Sequence, residues 1–148
     1  MWHDDLETLL VTGGVGVITG SGKNIFTSKK AAIPTGPGPY LLIVVTGGLT
    51  AERTHDSAPG APNEEAEAPG DAYQRPTAQI SVRAQTFAAA MGMAKAAYKV
   101  LVKVRNETVN STWYREIRAM QPPSDIGLDD TQNRVQVAFN VMGFKQPS

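Results

Sequence analysis

Two glycine clusters near the start of the chain, Gly13-Gly14-Val15-Gly16 and Gly20-Ser21-Gly22-Lys23, come nearest to nucleotide chemistry. Glycines let backbone amides approach a phosphate, and a following lysine can reach it. The spacing does not meet that need. A phosphate loop has glycine five residues before the Gly-Lys pair and Ser or Thr after it, positions held here by Val17 and Asn24. The segment also follows a helical pattern instead of leaving a strand, so a flexible glycine loop accounts for it better. His55, Asp56 and Ser57 make a Ser-His-Asp set only on paper, because adjacent side chains diverge, and His3 is far away in sequence. Asp125, Asp129 and Asp130 lack the twelve-residue calcium-loop spacing and its closing Glu, which leaves them turn formers. Asn106-Glu107-Thr108 and Asn110-Ser111-Thr112 fit the glycosylation sequon, which has meaning only in a secreted eukaryotic protein. With no cysteine and two histidines, disulfides, Cys-based zinc sites and thiol nucleophiles are excluded. No catalytic residue, cofactor or metal site is expected.

The elements that must carry any site follow from patterning. At 148 residues the chain is expected to be one domain, spanning 1–148. Fourteen bases against fourteen acids give zero net charge, so the whole-chain field does not steer it toward nucleic acid or anionic membrane. The longest apolar run, residues 40–45, is far shorter than the roughly 20 residues of a membrane span, and His3, Asp4 and Asp5 stand where a signal peptide would be basic. A soluble, unexported chain is expected. Leu6, Leu9 and Leu10 predict a helix over 2–11, ended by Gly13-Gly14. A short strand is expected at 24–27 and a buried central strand at 40–46. Ala78, Ile80 and Val82 alternate in a half-buried strand, followed by a helix over 86–104 with Phe87, Met91, Ala94, Tyr98 and Leu101 on its apolar face. Residues 113–120 alternate without a clean dry face, and Val135, Val137, Phe139 and Val141 mark a last strand. The pattern predicts an α+β fold: one mostly antiparallel or mixed sheet of four to five strands, two helices on one face, and a long Pro/Gly/Glu-rich loop at 47–75.

Charge is segregated along the chain. Residues 47–71 hold six acids (Glu52, Asp56, Glu64, Glu65, Glu67, Asp71) and one base, Arg53. Residues 72–121 hold eight bases (Arg75, Arg83, Lys95, Lys99, Lys103, Arg105, Arg115, Arg118) and two acids, Glu107 and Glu116. A solvated helix face accounts for Lys95, Lys99 and Lys103 in the simplest case. The sharper reading is self-complementarity, with the acidic loop of one subunit on the basic body of the next, closing into a ring where the rotation permits. Glu64, Glu65, Glu67, Arg83, Lys95, Lys99 and Lys103 are the expected subunit or partner contacts.

A helix ending in Gly14-Val15-Gly16 is followed by Asn24-Ile25-Phe26 and then by an apolar strand closing in Thr46-Gly47-Gly48. A variable loop precedes Tyr73-Gln74-Arg75-Pro76-Thr77-Ala78-Gln79-Ile80-Ser81-Val82-Arg83 and an Ala-rich helix, and Asp129-Asp130 leads through Arg134 to Phe139-Asn140-Val141. This ordered series of segments resembles the tail terminator, or minor capsid, proteins of long-tailed bacteriophages. The resemblance implies a non-enzymatic virion protein: a homo-oligomeric ring, a hexamer, at the head-proximal end of the tail tube. Such a ring halts tube polymerisation and joins the tail to the head connector. The implied partners are the tail tube protein and a head-completion or connector protein, with DNA passing through the lumen without specific binding and no membrane contact. The implied location is the virion, after assembly in the host cytoplasm. The alternatives are another head-tail connector or tube protein of the same particle and, more remotely, a small nucleotide-binding enzyme using residues 20–23. The segment 29–39 and the 47–75 loop depart from the family pattern in their Pro and Gly content, so contacts made there do not transfer.

Overall fold

The computed structural model describes residues 1–27, 34, 36–53, 72–129 and 134–146. Helix α1 spans Trp2–Thr12, with Asp4 and Asp5 in its first turn, where carboxylates suit the helix dipole. Strand β1 (Ile25–Thr27) leads to β2 (Tyr40–Arg53), and β3 (Ala72–Ala84) runs into α2 (Phe87–Leu101). Thr86 is the N-cap of α2, its hydroxyl accepting the Ala89 N–H at 3.2 Å. Thr86→Ala is expected to cost about 1 kcal/mol in denaturant unfolding, with glycine at the same position recovering most of it. The hairpin β4 (Arg105–Val109) and β5 (Thr112–Ala119), then β6 (Ser124–Asp129) and β7 (Arg134–Lys145), complete the fold.

One mixed sheet runs in the order β1-β2-β3-β7-β5-β4, with only β1-β2 parallel, while β6 pairs the first half of β7. The register aligns Leu41, Val82 and Val137 in one row across the sheet and Ile43, Ile80 and Phe139 in the next. All six are fully buried. Because alternate residues share a face, this one face receives both helices. Small residues let α2 sit close: Ala90, Ala94 and Ala97 are inaccessible, and Tyr98 meets Phe139 edge to face at 5.7 Å.

The α+β class and the two helices on one face stand, but the sheet has seven strands, not four to five. The additional ones are β4 and β6. Strand β4 has a single buried side chain, Val109, and so shows no apolar alternation; it forms because Asn110 and Ser111 both adopt positive φ (46° and 69°) and turn it back onto β5. Strand β6 is exposed in its described side chains, including Ile126 and Leu128, and is held by backbone pairing to β7. Strand β2 is not central: it lies next to the edge strand β1 and buries alternate residues, Leu41 and Ile43. It also continues past Thr46 into the expected loop, as β3 begins before Pro76. Two register shifts accommodate this, the first at Gly47-Gly48 opposite Pro76, whose missing N–H is tolerated at a bulge. Gly48 takes φ +80° there, and a Cβ would lie 3.0 Å from the Arg75 carbonyl oxygen. The α2 face is rotated from the expected one, burying Ala90, Met93, Ala94, Ala97 and Leu101 and leaving Phe87 about half exposed. In β5 a register shift between Tyr114 and Glu116 changes the alternation by one residue, so that Tyr114 and Ile117 both face the core.

Candidate functional site

The carboxylate of Asp5 is completely buried in the first turn of α1. Its Oδ2 accepts the Tyr114 hydroxyl and its Oδ1 accepts Asn110 Nδ2 at 3.0 Å; the same amide donates to Thr8 Oγ1 at 2.9 Å. Helix α1 is thereby tied to the β4-β5 hairpin. A buried carboxylate is tolerable only with such donors. Burial first, then the hydrogen bond to Asp5 and its charge, pushes the Tyr114 phenol far above its ordinary value of 10.0. Asn110, which opens the second sequon, is therefore a structural residue.

Trp2 packs over this anchor, its ring 5.9 Å from that of Tyr114 and directly above Gly143. The helix-facing positions of β7 run Val135, Val137, Phe139, Val141, Gly143 and then Lys145, so the apolar stripe ends in a lysine that is only 8% exposed. Lys145 pairs with Gln74 of β3 on one side and Tyr114 of β5 on the other. Here the start of α1, the β2 bulge, the start of β3 and the β4-β5 turn surround a groove of about 760 Å³. Trp2, Gly48, Gln74, Arg75, Ser111 and Lys145 are among its walls. Two cations, Arg75 and Lys145, line it, and no Asp or Glu does among the described residues.

The residues singled out by sequence are placed differently. Glu64, Glu65 and Glu67 lie outside the described residues, as do His55, Asp56, Ser57 and Asp130. Lys95, Lys99 and Lys103 are exposed along α2 and the turn after it. Arg83 is on the opposite face of the sheet, alternating with the core residues Val82 and Ala84, and its Nη2 donates to the Pro34 carbonyl at 2.6 Å. The structure thus does not bring Arg83 to the lysine stripe. Lys23 lies 4.9 Å over the Phe26 ring, in a loop running from a helix into a strand, the reverse of a phosphate loop. Asp125 Oδ1 accepts the Gly127 N–H at 2.8 Å, the turn role expected of it. Arg105 and Arg118 both pair with Glu116, at 3.2 and 3.0 Å. The sequence reading missed the groove; the signal was a lysine at an inward position of the last strand.

No family model and no curated protein matches the chain by sequence. Among solved structures, the fold is shared with a chain of a gene transfer agent particle. That structure is described as the virion of a native gene transfer agent particle; the likeness has a TM-score of 0.52 at 14% identity and covers 95% of this chain and 84% of that one. A second solved chain has a TM-score of 0.48 at 14% identity, over 99% of this chain and 96% of its own. None of the helices among the described residues is long and apolar enough to cross a membrane.

Proposed function

We propose that the chain is a non-enzymatic structural protein of a phage-type virion. It forms a ring, a hexamer, at the head-proximal end of the tail tube, where it ends tube growth and joins the tail to the head connector. The observation that carries this reading is the fold shared along nearly the whole chain with a component of the gene transfer agent virion. The ordered series of tail-terminator-like segments supports the finer role. Its mechanism is steric and electrostatic: one ring face copies the tube-subunit interface, and the other lacks the surface that seeds a further layer. The acidic segment with Glu64, Glu65 and Glu67 and the basic residues Arg83, Lys95, Lys99 and Lys103 serve as subunit or partner contacts. A chain of zero net charge suits a lumen through which DNA slides without being held.

Light scattering over a range of concentrations tests the ring. The expected result is one defined species at six times the 15.8 kDa subunit mass. A species that stays monomeric at every concentration, with or without tube subunits, contradicts it.

A further inference from the structure

Lys145 is more than nine-tenths buried, yet no side-chain hydrogen bond or ion pair engages its ammonium among the described residues. Trp2, which lines the same groove, has its indole Nε1–H buried without an acceptor, a costly state for a donor. The groove thus holds a cation without a counter-ion and a donor without an acceptor. The chemistry that complements such a lining is a carboxylate, which carries negative charge and accepts hydrogen bonds.

We propose that this groove receives carboxylate side chains from the acidic segment, residues 54–71, of a second copy of the chain. That segment holds five acids, Asp56, Glu64, Glu65, Glu67 and Asp71, and no lysine or arginine. Its charge complements that of Lys145 in the groove. The inference rests on the ring reading and supplies its subunit contact. It places the receiving site of the acidic segment at a largely buried lysine, where a charge pair is screened less by solvent, and leaves the exposed lysines of α2 to other subunit or partner contacts.

A labelled peptide of residues 54–71 tests this by fluorescence anisotropy. The receiver is the full chain with Glu64, Glu65 and Glu67 changed to Gln, so that its own segments do not compete. Saturable binding is expected, and Lys145→Met in the receiver should weaken it by at least about tenfold while leaving the melting temperature unchanged or higher, because an unpaired buried charge has been removed. Changing Lys95, Lys99 and Lys103 together to Gln should alter the affinity by less than about twofold, as for solvent-screened contacts. Equal peptide binding with Lys145→Met, or tighter Lys145-dependent binding of a short DNA duplex, overturns the proposal. So does an unchanged oligomer mass when Lys145→Met is placed in the otherwise natural chain. A ring that forms regardless of Lys145 leaves the ring reading intact and removes only this contact.

Discussion

Tyr114→Phe is expected to destabilise the fold by about 3 kcal/mol, because the lost hydroxyl leaves a fully buried carboxylate one donor short. Asn110 remains on the other oxygen, so the carboxylate is not orphaned and the loss stays below that of an unpaired buried ion. The pH dependence gives an independent check. In the unfolded chain the phenol ionises near 10.0, whereas in the folded protein burial and Asp5 keep it protonated. A raised folded pKa contributes stability that is present below pH 10.0 and lost as pH rises beyond it, at up to about 1.4 kcal/mol per pH unit. Urea unfolding at pH 8 and pH 10.5 should show this loss in the natural protein and a smaller one in Tyr114→Phe. Equal alkaline losses in the two proteins would mean that Tyr114 is not held neutral by its surroundings.

Gly143→Val is expected to cost a further 3 kcal/mol or so, near the upper end for overpacking, and to lower the melting temperature by about 10 °C. Position 143 continues the inward-facing stripe of β7, and a Cβ there would lie 2.8 and 2.9 Å from two atoms of the Trp2 ring. The indole cannot retreat freely, since it rests on Tyr114 and belongs to the helix tied down through Asp5. Glycine is thus required for space rather than for an unusual φ. In a Gly143→Ala background, Trp2→Phe should recover part of the loss, giving a coupling between the two positions in thermal unfolding. Strict additivity would place the clash elsewhere. The same change should narrow the groove at Lys145, whose neighbour two residues back is Gly143.

Much of the fold was legible because its core elements alternate cleanly. Leu6, Leu9 and Leu10 foretold α1, and Ile80, Val82, Val137 and Phe139 foretold the two strands that dominate the sheet. What escaped notice lacks such a signal. Strand β4 buries only Val109 and depends on the Asn110-Ser111 turn, while β6 exposes Ile126 and Leu128 and relies on backbone pairing. The bulge after Tyr114 breaks the alternation of β5, which made a core strand look two-sided. The apolar spacing of Phe87, Met91, Ala94, Tyr98 and Leu101 shares only Ala94 and Leu101 with the buried face of α2, because close packing on the sheet favours the small Ala90, Ala94 and Ala97. The groove was hidden for a different reason. It joins Trp2, Gly48, Arg75, Ser111 and Lys145, residues distant in sequence that no local pattern links.

The central claim is that this chain ends a growing tail tube. Its most direct test is to polymerise purified tube subunits with increasing amounts of the protein and measure tube lengths by negative-stain electron microscopy. A terminator is expected to shorten the tubes in proportion to its concentration and to sit as a single ring at one end of each. Tubes of unchanged length, or tubes that take up the protein along their whole length, would contradict the account; the second outcome would make it a tube subunit instead.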